Sequence, residues 1–166
     1  MTQSTDVFRT MTDDECERLI REMRDETKPL YKEVERTAAE TLRLRPVFLG
    51  KQPFEKRCRM IRKAMALKVN AETAAEVLAA FFMERYSKDV EELLDALGVE
   101  HEEGVLKQPS PPEPDEKVLK ETVAGFAKGK NAKTRSLLLR AFAAQSAIDW
   151  PKLDALVFPQ ETLATD

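Results

Sequence analysis

The stretch NAETAAEVLAAFFMERYSKDVEELLDALG, residues 70–98, decides the fold. It reads as two helices that meet at Ser87. Asn70 is placed to cap the first by accepting a hydrogen bond from an early backbone amide. Ala74, Ala75, Leu78, Phe81, Phe82 and Tyr86 occupy most of that helix's circumference, with Val77 and Met83 between them. A helix apolar on most sides is expected at the centre of a bundle. Ser87 caps the second helix, where Val90, Leu93, Leu94 and Leu97 form a narrow seam. Gly98 supplies the left-handed residue that closes it.

Towards the N-terminus, the spacing predicts a helix over about 53–67. Its apolar face is Phe54, Cys58, Ile61 and Met65, flanked by Met60, Ala64 and Leu67; Lys56, Arg59, Arg62 and Lys63 project opposite, and Arg57 falls nearer the apolar arc. Val47-Phe48-Leu49-Gly50 before it reads as an apolar connector tucked onto the core. Arg45-Pro46 stops the preceding helix, because a residue before proline is pushed out of helical conformation. That helix carries the stripe Leu30, Val34, Ala38 and Leu42, with Thr27 as its cap and Pro29 in its first turn. The alternative is one long helix kinked at Pro29. Thr12-Asp13-Asp14-Glu15 is a capping box, followed by the stripe Cys16, Leu19, Ile20 and Met23. Residues 1–11 are polar and read as a flexible start.

Towards the C-terminus, VEHEEGVL, residues 99–106, reads as a small hairpin or a plain loop. KQPSPPEP, residues 107–114, has four prolines in eight positions and is expected to be an extended linker. Asp115 opens a helix with Leu119, Val123 and Phe126 that Gly129 ends; Asn131 caps another with Leu138, Leu139, Ala141 and Phe142. Asp149-Trp150-Pro151 opens a short last helix, and residues 159–166 read as a flexible tail.

The opening pattern returns 61 residues later. Residues 70–81 and 131–142 share six identities in twelve positions, among them Asn70 with Asn131, Thr73 with Thr134, Leu78 with Leu139 and Phe81 with Phe142. The fold class expected is therefore all-α: a helical bundle of about seven helices, with two related helix–helix–helix halves, residues 53–98 and 115–158. With the helices of residues 12–44 they make one domain over 12–158.

Charge is uneven along a chain of net charge −3. Residues 45–68 hold 8 basic groups and 1 acidic group, net +7, and residues 69–106 hold 2 and 10, net −8. The basic helix region 51–68 offers Lys51, Lys56, Arg59, Arg62 and Lys63 to an acidic ligand or to nucleic acid. No aromatic is interleaved on that face, which disfavours base stacking. The acidic stretch offers Glu84, Asp89, Glu91, Glu92 and Asp95. Pairing between the two blocks, within the chain or across a homodimer, accounts for both.

No catalytic constellation emerges. The single histidine, His101, sits among Glu100, Glu102 and Glu103, without a second nitrogen or thiolate ligand nearby for zinc. A weak metal-binding or enzymatic role would have to centre on it. Cys16 and Cys58 are far apart in sequence and lie on apolar helix faces, as free core thiols in a reducing compartment do. No metal, cofactor, phosphate loop or membrane span is indicated. The sequence thus points to a cytoplasmic, non-enzymatic protein-interaction module with a protein partner or a second copy of itself. Nucleic-acid or acidic-ligand binding through residues 51–68 is the alternative.

Overall fold

A computed structural model describes residues 2–158. The expected tail at 159–166 lies outside the described residues. The chain is all-α. Its helices are α1 (Ser4–Thr10), α2 (Asp13–Glu26), α3 (Lys28–Thr41), α4 (Pro46–Gly50), α5 (Phe54–Met65), α6 (Ala71–Arg85), α7 (Ser87–Ala96), α8 (Glu116–Phe126), α9 (Ala132–Ala143) and α10 (Pro151–Val157). The hairpin strands β1 (His101–Glu102) and β2 (Val105–Leu106) fall between α7 and α8. Two compact units divide the chain: Ser4–Phe81, and Phe82–Asp166 joined by Met1–Gln3, so the boundary falls inside α6.

In the N-terminal unit α2, α3 and α5 pack on one another, α1 packs on α5, and α4 on α3. The capping box forms: the Glu15 amide donates to Thr12 Oγ1 at 3.1 Å and the Thr12 amide donates to the Glu15 carboxylate at 3.1 Å. Cys16, Leu19, Ile20 and Met23 are buried as their spacing predicts. Thr27 divides two helices, at φ −133° and ψ 63°. Its hydroxyl closes α2 by donating to the Met23 carbonyl at 3.3 Å and makes no cap bond to α3. α3 ends at Thr41, short of Arg45-Pro46, where Arg43 takes a left-handed φ of 55°.

Four expectations change here. Residues 2–11 are not loose. Val7 and Phe8 are fully buried, Arg9 pairs with Asp6, and the Thr10 hydroxyl donates to the Asp6 carbonyl at 2.8 Å. Most helical stability comes from packing an apolar face, and two buried side chains suffice for a seven-residue helix. The connector at 47–50 is a helical turn that tucks only Leu49 onto the core. A single turn points only one residue inward, so Leu49 is buried while Val47 and Phe48 are 67% and 50% exposed. α6 is not enclosed: Ala74, Val77, Leu78, Phe81 and Phe82 are buried, but Ala75, Ala79 and Ala80 lie exposed beside Glu72 and Glu76. Alanine buries little area, so an alanine-rich helix leaves a face in water at small cost. Asn70, read as an acceptor, acts as a donor. Its side-chain amide reaches the Ala64 carbonyl at 2.8 Å and Thr41 Oγ1 at 3.0 Å, joining the ends of α5 and α3.

In the C-terminal unit α8, α9 and α10 pack pairwise and α7 packs on α8. Gly98, at φ +68°, closes α7; its amide donates to the Asp95 carbonyl and the Val99 amide to that of Leu94, which leaves the last turn satisfied. Of the two readings of 99–106 the hairpin is realised, with His101 opposite Leu106 and Glu102 opposite Val105. Glu103 and Gly104 take φ 51° and 89°, the two-residue turn whose twist matches an antiparallel pair. The Pro-rich segment has no helix, and its Pro111 carbonyl accepts the buried indole N–H of Trp150 at 2.9 Å. Trp150 meets Phe142 edge-on at 5.5 Å between centroids. Residues 137–144 are buried without a break. The Thr2 hydroxyl donates to Asp154 Oδ1 of α10 at 2.7 Å.

Candidate interaction surface

α5 is amphipathic, and its buried side is Cys58, Ile61, Ala64 and Met65. Positions three and four apart share a helix face. Lys56, Arg59 and Lys63 therefore stand together on the outer face, and all three are exposed, as is Lys51 before the helix. No ion pair within their own unit occupies these four cations among the described residues.

Arg62 does not belong with them. It is half-buried; its guanidinium pairs with Asp13 at 2.6 Å and donates to the Met11 carbonyl at 2.9 Å, tying α5 to the start of α2. One turn of helix separates outward from inward, and position 62 falls on the α2 side. Arg57 is likewise structural, donating to Tyr31 Oη at 2.9 Å and to the carbonyls of Gly50 at 2.7 Å and Gln52 at 3.0 Å. Burial pushes the Tyr31 phenol above its ordinary range, partly countered by Arg57. Phe54 is half-buried beneath the guanidinium groups of Arg21 and Arg24, at 5.0 and 4.9 Å from its ring centre. Exposed apolar residues bracket α5 in the chain: Val47 and Phe48 before it, Leu67 and Val69 after it, the last 81% exposed.

The acidic residues have partners that their local sequence does not reveal. Asp89 accepts from Arg135 Nε at 2.9 Å, and Glu92 from the same guanidinium at 2.6 Å. Arg135 also lies 4.6 Å over the Phe126 ring, a favourable site for a cation. The guanidinium and Phe126 line an open cavity of about 340 Å³ that α7, α8 and α9 share, with Glu92 and Glu121 also lining it. Asp95 pairs with His101 at 2.7 Å. Three of the five acidic candidates are thus engaged inside the C-terminal unit, while Glu84 is exposed and Glu91 half-buried. Arg135 escaped the sequence reading because it lies 46 residues from Asp89. The one signal for it was its place in the repeat, where residue 74 is an alanine.

His101 has both nitrogens occupied. The Gly104 amide donates to Nδ1 at 3.1 Å, which requires the proton on Nε2, and Nε2 donates to Asp95. The ring joins the hairpin turn to α7. Among the described residues no three His, Cys, Asp or Glu side chains are grouped to hold a metal ion.

The two cysteines, 42 residues apart, meet in the core of the N-terminal unit. The Cys16 thiol donates to the Cys58 carbonyl at 3.4 Å. Interaction with the Cys58 side chain and burial raise the Cys16 thiol far above its ordinary value. The same interaction lowers Cys58, outweighing its own desolvation. Cys16 therefore keeps its proton and Cys58 gives its proton up first.

Among the described residues, no helix is long and apolar enough to cross a membrane. No protein-family model, curated protein or solved structure matches the chain.

Proposed function

We propose that the chain is a cytoplasmic, non-enzymatic interaction module that docks an acidic protein surface on the outer face of α5, and that a second copy supplies this surface. The observation that carries the reading is the contrast among cations of one helix: Arg57 and Arg62 are held by the scaffold, while Lys56, Arg59 and Lys63 face outward. Like charges three and four apart repel, and a carboxylate-bearing partner would relieve that repulsion. Within the acidic stretch 69–106, the carboxylates of Glu84, Glu100, Glu102 and Glu103 are exposed and are the matching surface. In a two-fold dimer each copy would offer both faces, so the contact is made twice. Duplication of residues 53–98 and 115–158 is part of the same reading, supported by the six identities and by Leu78, Leu139, Phe81 and Phe142, all buried.

Light scattering on the eluting protein tests the dimer. The expected result is a dimer at low salt that dissociates as salt rises, since screening weakens contacts between exposed charges. Lys56→Glu/Arg59→Glu should be monomeric, and mixing it with Glu102→Lys/Glu103→Lys should restore a heterodimer. A monomer at every concentration and salt sinks the second copy as partner. Nucleic acid is the competing ligand, favoured by Phe48 half-exposed between Arg45 and Lys51. A gel shift that Lys56→Glu/Arg59→Glu abolishes would establish it. Arg62 is left intact in both variants because its loss would disturb the fold.

A further inference from the structure

We propose that Cys16 and Cys58 form a dithiol that a small peroxide oxidises to an intramolecular disulfide, covalently tying α2 to α5. Three observations carry it. The thiols belong to two helices packed on each other, and Cys16 Sγ reaches the Cys58 carbonyl at 3.4 Å. Each is about 1% exposed, so a bulky disulfide oxidant is excluded and a molecule the size of hydrogen peroxide is the fitting reagent. The Cys16 S–H is held by the Cys58 carbonyl, which keeps Cys16 protonated as the resolving thiol and leaves Cys58, whose pKa is lowered, the better thiolate.

The chemistry balances in two steps. The Cys58 thiolate attacks one peroxide oxygen; the O–O bond breaks, hydroxide leaves, and Cys58 becomes a sulfenic acid. The Cys16 sulfur then attacks the Cys58 sulfur; the S–O bond breaks, and the hydroxyl departs as water with the Cys16 proton. Two thiols are oxidised by two electrons, and one peroxide is reduced to two waters. Closing a loop from residue 16 to residue 58 restricts the unfolded chain, so the oxidised protein should be the more stable form.

Hydrogen peroxide titration of the full chain, followed by thiol alkylation and non-reducing peptide mapping, tests this. The expected product has lost two hydrogen atoms, carries a Cys16–Cys58 cross-linked peptide, melts several degrees higher, and reverts with dithiothreitol. Cys16→Ala should stop at an oxyacid on Cys58, whereas Cys58→Ala should leave Cys16 unmodified. The wild-type map does not depend on either variant folding. Sulfinic acid without the cross-link, cross-links between copies only, or two alkylatable thiols after peroxide would each overturn the proposal, and equal oxidation of Cys16 in Cys58→Ala would overturn the assigned order of attack.

Discussion

α6 and α9 open with nearly the same residues and end in different surroundings. α6 is the more apolar by composition, yet Ala75, Ala79 and Ala80 face water. α9 carries Lys133, Arg135 and Arg140, yet residues 137–144 are all buried. The aligned pairs divide accordingly. Ala80 is exposed where Ala141 is buried; Asn70 is buried and donates two hydrogen bonds, whereas Asn131 is exposed; Ala74 is buried where Arg135 reaches out to Asp89 and Glu92. The difference teaches that neighbours, not composition, set burial. α9 has α8 and α10 packed on it. Alanine is the residue that lets one pattern serve both situations, since it loses little in water and fits a tight contact.

The largest break in this comparison comes from charging the aligned alanines. Ala141→Glu places a carboxylate in a packed site and should cost more than about 3 kcal/mol, enough to show as loss of the cooperative transition in urea. Ala80→Glu on the exposed side should change stability by less than about 0.5 kcal/mol. Equal effects would abolish the distinction. Asn70→Ala removes two side-chain hydrogen bonds, to the Ala64 carbonyl and to Thr41, and should cost roughly 1–3 kcal/mol, against a few tenths for Asn131→Ala. Arg135→Ala makes α9 resemble α6 at that position. It removes a partly exposed ion-pair network and a cation–π contact, and a loss of about 1 kcal/mol in chemical denaturation is expected.

The smallest effect concerns Asp154, which α10 places against Thr2. Burial raises its carboxyl pKa above the ordinary value, partly offset by the Thr2 hydrogen bond. A raised folded-state value means the folded chain binds the proton more tightly than the unfolded one. This contribution favours folding below the unfolded value and is lost as pH rises through the folded value. Asp154→Asn should therefore be slightly stabilising at pH 7 and lose that advantage towards pH 3–4, as measured by melting temperature across the series.

Local signals were legible in the sequence where they act locally. The Thr12 box, the Cys16–Met23 stripe, the Gly98 stop and the buried line of α5 are each set within one or two turns, and each forms. α1 and α4 were not legible because their helicity depends on one or two side chains meeting a distant surface. The enclosure expected of α6 failed because alanine carries no burial signal of its own. For the candidate surface, the face shared by Lys56, Arg59 and Lys63 was readable from spacing alone. The removal of Arg62 from that face was not, since it depends on Asp13 and the Met11 carbonyl arriving from α2. The meeting of Cys16 and Cys58 is of the same long-range kind.

The placement of Trp150 makes the molecule its own reporter. It is the sole tryptophan, sealed against Phe142 and the Pro111 carbonyl, so its emission follows only the C-terminal unit. Far-ultraviolet circular dichroism follows helices of both. Superimposable denaturation curves from the two signals would mean the units melt as one, and separated curves would give each its own free energy of unfolding.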